Sequence, residues 1–123
     1  MAGAEIEEAV PTNVRWRLLG LQATLVTDAT VANRRPTVVI TDDADLDLFR
    51  FRGQADQAAS LTMQHVFSPQ QYLAGSDGAR AHYVLPPDTF LPQGWKFKTV
   101  TANIAAGDNW GAPQIWVEEW LEE

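Results

Sequence analysis

A chain of 123 residues, 46% hydrophobic and with five tryptophans, is long enough for one domain whose packed core buries roughly two-thirds of the unfolded surface. Zero cysteine excludes disulfides and cysteine-ligated zinc, and no apolar run approaches the ~20 residues of a membrane-spanning helix, so no membrane partner is expected. A net charge of −7, with Lys96 and Lys98 the only lysines, argues against nucleic acid as a partner, because such a face needs basic residues in excess.

Residues 1–12 open with M-A-G-A-E-I-E-E-A, acidic where a secretory signal would be basic, and end in Val10-Pro11-Thr12. They read as an N-terminal arm leading into a single β-sandwich domain over residues 13–123. The stretch from Val14 to Arg35 then dominates the chain. Its odd positions Leu19, Leu21, Ala23 and Leu25 are apolar, with Gly20, Gln22 and Thr24 between them, the alternation of a half-buried strand. Before Leu19 the parity is reversed: Val14, Trp16 and Leu18 are apolar, Arg15 and Arg17 polar. A one-residue slip exchanges the two faces, so a bulge or bend is expected near Leu18–Gly20. The alternative is an unbulged strand with Arg15 and Arg17 at a partner interface.

Asp28 to Pro36 reads as a connection, since Pro36 lacks the N–H a central strand needs. Thr37–Thr41 is a β-branched run suited to burial on both faces. Asp42-Asp43-Ala44-Asp45 is a turn, and Leu46–Arg52 the return arm of a hairpin. There the alternation slips again, from Leu46 and Leu48 to Phe49 and Phe51, which suggests a second bulge. From Ala58 to Phe67, Ala59, Leu61, Met63, His65 and Phe67 share a face against Ser60, Thr62 and Gln64. Helix competes over Gln54–Gln64 through Ala55, Ala58 and Ala59, but the strict alternation favours a strand. Further turns are expected over Ala74-Gly75-Ser76-Asp77-Gly78, at Pro86-Pro87-Asp88 and at Pro92-Gln93-Gly94. Between and after them come strands over Ala79–Leu85, Trp95–Ile104 and Gln114–Leu121.

Seven or eight strands at regular spacing, with no strong helix, make the fold class all-β: an antiparallel, jelly-roll-like β-sandwich. Leu21, Leu25, Leu61, Met63 and Phe97 lie on the apolar parity of their strands and are expected in the core, where truncating Leu21 or Leu61 to alanine costs about 2–5 kcal/mol.

The catalytic inventory is thin. His65 falls in register with core residues, and His82 has no carboxylate or serine at an informative spacing. Ser60, Ser68 and Ser76 lack the G-x-S-x-G context of a nucleophile elbow. Asp43, Asp45 and Asp47 resemble the opening of a calcium loop, but Leu48 stands where its glycine belongs. Asp77 and Asp108 sit in glycine-bearing loops that read as turns. The expectation is therefore no enzyme, no catalytic or metal site and no cofactor.

Arginines 15, 17, 34, 35, 50 and 52 come in pairs, most simply the solvent faces of strands rather than an anion site. In the last strand Ile115, Val117 and Leu121 share one face and Trp116 and Trp120 the other, so a strand covered on both faces is expected. Tryptophan is enriched at binding hot spots. Trp116, Trp120, Trp110, Arg15 and Arg17 are thus the candidate partner-interface residues, with cover by the same chain as the alternative for the tryptophans.

Several motifs carry a family resemblance: Arg15-Trp16-Arg17-Leu18-Leu19, L-V-T-D-A-T-V-A-N-R (Leu25 to Arg34), L-P-Q-G-W (Leu91 to Trp95), A-G-D-N-W (Ala106 to Trp110) and V-E-E-W (Val117 to Trp120). They resemble small β-sandwich proteins encoded among the virion structural genes of tailed bacteriophages. The similarity runs from about Val14 to Trp120, leaving out the arm and Ser68–Ala81. It implies a fold and a setting but no active site: a structural protein of the virion, made in the host bacterial cytoplasm. The first expectation is a capsid decoration protein acting by contact, a homo-oligomer (a trimer by family analogy) bound to other virion proteins such as the major capsid protein. A neck or tail accessory protein is the next reading. A carbohydrate-binding module, with Trp95 and Trp110 as sugar platforms, is the alternative of a different class.

Overall fold

Thirteen consecutive residues from Val14 to Val26, free of proline, form the longest strand of the chain. The computed structural model describes residues 4–53, 56–68, 75–76, 80–85 and 89–122. In chain order the strands are β1 (Glu7–Ala9), β2 (Val14–Val26), β3 (Arg35–Thr41), β4 (Asp47–Arg52), β5 (Thr62–Ser68) and β6 (Gly75–Ser76). They continue with β7 (Arg80–Val84), β8 (Thr89–Leu91), β9 (Lys96–Ala102), β10 (Asn109–Trp110) and β11 (Gln114–Leu121). Seven of the eleven are five residues or longer, and the other four are short additions to sheet edges and ends. No helix occurs among the described residues, including the described part of Gln54–Gln64.

The strands form a β-sandwich. One sheet runs β1-β9-β3-β4; the other runs β10-β2-β5-β7-β6, with β11 and β8 also paired to β2. Every pair is antiparallel except β5–β7, which runs parallel from Gln64↔Arg80 to Ser68↔Val84, so the second sheet is mixed. Phe97, Val38 and Ile40 of the first sheet and Leu18, Leu21 and Phe67 of the second meet in the core, each at most 2% exposed.

The parity break in β2 is a bulge. Along the ladder to β11, Trp116 pairs with Gly20 and Val117 with Leu18, so Leu19 is the extra residue. Val14 and Leu18 before it and Leu21, Ala23 and Leu25 after it are all buried. Arg15 and Arg17 therefore keep the outer face without sacrificing the core side of either half. The hairpin bulges too: Ile40 pairs with Phe49 and Thr41 with Asp47, leaving Leu48 unmatched.

Other expectations are corrected. Pro36 lies inside β3, opposite Thr101 of β9, and not in a connection. It sits one residue beyond the last β3–β4 pair, Thr37↔Arg52, and its carbonyl still accepts the Gly53 N–H. Leu61 is 40% exposed, because β5 starts only at Thr62 and Ser60 turns the chain at φ 57°. Leu21, Leu25, Met63 and Phe97 are buried as expected. The described part of the N-terminal arm is built into the sandwich, since β1 pairs with β9 and Ile6 and Val10 are core residues. Gly75 and Ser76, expected in a turn, form β6, while the rest of that turn (Ala74, Asp77 and Gly78), Pro86-Pro87-Asp88 and the side chain of His82 lie outside the described residues.

Candidate functional site

The outer face of the β11–β2–β8 sheet gathers large side chains that the core does not use. Trp120 of β11 stands opposite Arg15, Glu118 opposite Arg17, and Phe90 of β8 opposite Arg17 on its other flank. The Arg15 guanidinium lies 5.6 Å from the Trp120 ring and 6.0 Å from the Phe90 ring, and the two rings are 5.9 Å apart at 38°. Arg15 also reaches Glu122 at 3.2 Å and Arg17 reaches Glu118 at 3.3 Å. Farther along β11, Trp116 lies over Gly20, where a Cβ would come 3.2 Å from its ring. The residue after the bulge is thus small where the indole needs the room. Trp116 is 51% exposed, Phe90 46% and Trp120 37%. Cation–π contact and ion pairs hold the arginines in place while the rings stay open to solvent.

Arg15, Arg17, Trp116 and Trp120 of the expected interface set meet on this face; Trp110 does not. Trp110 pairs with the buried Leu25 and points inward. Its Nε1 donates to Glu5 Oε1 and Thr101 Oγ1, each at 3.2 Å, and its ring stands edge-on to His65 at 5.4 Å. Glu5 also accepts from the Thr101 N–H and from the Thr99 and Thr101 hydroxyls, which ties the arm to β9. Phe90 was missed because only the fold brings β8 beside β2.

His65 is an interior residue, 1% exposed. Gln57 donates its amide to the carbonyls of Leu25 and Leu61, which leaves Gln57 Oε1 as an acceptor for His65 Nε2–H at 2.8 Å. His65 Nδ1 then accepts the Tyr83 hydroxyl proton at 2.9 Å. Burial lowers the imidazole to about 4 and raises the Tyr83 phenol. Both ring nitrogens of a neutral imidazole are engaged, so the ring serves the core and has no nitrogen left for a ligand.

Arg34, expected on a solvent face, is completely buried. Its Nε donates to Asp108 Oδ2 at 2.9 Å, one terminal nitrogen to Asp28 Oδ1 and Asp108 Oδ1, and the other to the Ala32 carbonyl. Asp108 further accepts the N–H groups of Asp28 and Ala105. Burial raises Asp108, but the hydrogen bonds from Arg34 and from those backbone groups outweigh it and hold the carboxyl below its ordinary range. Gly107 completes the clasp, because a Cβ there would sit 2.6 Å from Asp28 Oδ2. The T-D-A-T-V-A-N-R and A-G-D-N-W motifs are therefore two sides of one buried joint between loops.

The Asp42–Asp45 segment is the expected turn, with Asp42 Oδ1 accepting the N–H groups of Ala44 and Leu46. Asp45 pairs with Lys96 and Asp47 with Arg50. Among the described residues no group of His, Asp and Glu is gathered to hold a metal. Comparison with family models, with curated proteins and with solved structures finds no match to this chain.

Proposed function

We propose that this chain is a non-enzymatic structural protein that works by protein–protein contact, as a capsid decoration protein of a tailed-phage virion. The observation that carries the contact role is the outer face where Arg15, Phe90, Trp116 and Trp120 stand open on a rigid sheet. Aromatic rings and arginines there match the composition of binding hot spots, and pinned side chains lose little entropy on binding. The setting rests on the resemblance of the Val14–Trp120 motifs to virion proteins. It supplies the homo-oligomer, the trimer as first form and the major capsid protein as partner; a neck or tail position is the second form of the same reading. The polar groups that chemistry would need support it as well, since His65, Asp28, Arg34 and Asp108 are engaged in holding the fold. The carbohydrate reading has less to support it, since Trp110 turns its indole N–H to Glu5 and Thr101 and the half-buried Trp95 packs against the core.

Co-sedimentation of the purified chain with capsids, and separately with tails, of the phage that encodes it tests the proposal. Wild type is expected to pellet with one of them, and Phe90→Ser with Trp120→Ser to weaken binding at least ~10-fold, the scale of hot-spot loss. Wild-type protein that ignores both particles overturns the virion reading. Unchanged binding by the double variant overturns the role of this face.

A further inference from the structure

We infer that the outer edge of β4 takes the free edge of β11 from a second copy of this chain, so that copies join head to tail. The inference rests on the contact role proposed above and names one of its partners. Its starting point is charge segregation. Of nine basic residues in an acidic chain, Arg35, Arg50, Arg52, Lys96 and Lys98 share the outer face of the β1-β9-β3-β4 sheet. Arg35, Arg50 and Arg52 wall a groove of about 330 Å³ whose floor is Thr37, Val100 and Ala102. Arg35 and Arg50 each hold one carboxylate, Asp56 and Asp47, whereas Arg52 and Lys98 have no ion-pair partner among the described residues. The groove ends at β4, the last strand of its sheet, and β4 has no strand on its far side among the described residues. Phe49 of β4, on the sheet's other face, is 57% exposed.

The opposite charge lies on the other unpaired edge. Among the described residues β11 pairs only with β2, over eight residues, and carries Glu118 and Glu119 with Glu122 just beyond. An open edge offers a row of backbone donors and acceptors to another strand. In an antiparallel register that sets Arg50 against Glu118 on the outer face, Arg52 meets Trp116 and Phe51 meets Val117, so charge, ring and apolar contacts coincide.

Neither edge fits itself as well. A two-fold pairing of β4 with β4 brings Arg50 and Arg52 face to face, and β11 with β11 brings Glu118 against Glu118 or an indole. Like charges directly opposite destabilise such pairs. The two edges also lie on opposite flanks. Gly53, just past β4, approaches Tyr83 of β7, whereas β11 lies beside β2, whose Trp16 ring is 6.4 Å from Phe97 of β9. A contact between different patches on opposite flanks propagates to a third copy, giving a ring if the rotation closes and a filament if it does not.

Sedimentation velocity over a micromolar to near-millimolar series, at low and high salt, tests this with Arg50→Glu, Glu118→Lys and the combined R50E/E118K chain, each checked for folding by thermal melting. Wild type is expected to associate with concentration, more weakly at high salt, and each single variant to lose about 10-fold or more in association. A mixture of the single variants sets unlike charges at both kinds of contact, one natural and one exchanged, and should regain higher species. The combined variant has exchanged charges and should regain higher species. Hydrogen exchange on the wild type should show β4 and β11 amides protected only in the associated form. A wild type that stays monomeric, singles that associate like wild type, a mixture that associates no better than the singles, or protection confined elsewhere overturns the inference. A monomer that still pellets with capsids or tails refutes this edge contact alone, and an associating chain that ignores both particles refutes the virion reading alone.

Discussion

Arg34 shows how much of this sandwich depends on single polar side chains. Its guanidinium is fully buried and every nitrogen donates to an oxygen, two of them on Asp108. Removing the Asp108 charge leaves the buried Arg34 with only the partly exposed Asp28 as counter-charge, at a cost of about 3–5 kcal/mol. Asp108→Asn should lose that much in urea denaturation, while Asp47→Asn at the exposed Arg50 pair should stay within about 0.5 kcal/mol. Equal losses at the two sites would sink this account of the clasp. Nothing local in the sequence marks Arg34 as buried, because Asp108 is 74 residues away and the pair forms only when two loops meet. His65 was easier, since it shares its parity with Met63 and Phe67. Its ring is held neutral in the fold at about 4, against roughly 6.5 in an unfolded chain. Stability from that neutral ring is complete above pH ~6.5. It falls as the pH drops towards 4, where the unfolded chain takes up a proton that the folded one refuses, a loss of about 3 kcal/mol. Urea midpoints measured from pH 7 to 4 should drop more steeply for wild type than for His65→Gln. Parallel profiles would mean that the imidazole is not held neutral by the core.

At the scale of elements, β2 carries the fold because it pairs with β5, β8, β10 and β11 at once. Its bulge was legible from the parity of Val14, Trp16 and Leu18 against Leu21, Ala23 and Leu25, since only an inserted residue keeps both sets inside. Deleting Leu19 should therefore leave the cooperative thermal transition in place, because Val14, Trp16, Leu18, Leu21, Ala23 and Leu25 then fall in one unbroken alternation and all stay inside. Leu19→Thr keeps the residue count and should cost about 1 kcal/mol or less, within the range of half-buried positions. A deletion variant that loses its cooperative transition would overturn the reading of Leu19 as a residue outside the alternation. Where the sequence misled, longer-range packing decided. Pro36 is tolerated because the β4 ladder stops at Thr37. Leu61 continues the alternation of β5 on paper, yet its N–H and C=O are held by Thr27 in a turn before the strand begins. The parallel β5–β7 pair had no signature at all, since alternation fixes a strand's faces and says nothing of its direction. The outer-face cluster was half legible: Trp116 and Trp120 share a parity in β11, whereas Phe90 joins them through pairing alone.

For the whole molecule, the sandwich couples residues far apart in the chain: across β2–β11 the Gln22 amide donates to Gln114, 92 positions later, and from β9 the Thr101 hydroxyl donates to Glu5, 96 positions earlier. A fold built from such distant pairings closes its loops late and reaches its native state in milliseconds to seconds. Ribosomes deliver the chain at about 5–20 residues per second, from the N-terminus onward. Throughout most of that delivery the Val14–Gln22 flank of β2 has no β11 to receive it, and Glu5 has no threonine hydroxyls to bind. The sandwich therefore cannot be completed until β11 has been delivered. Until then the leucine-rich stretch is open to the same stretch on neighbouring nascent chains, so slower translation would lengthen that exposure and tighter spacing of ribosomes would raise the frequency with which newly made copies meet one another unfolded.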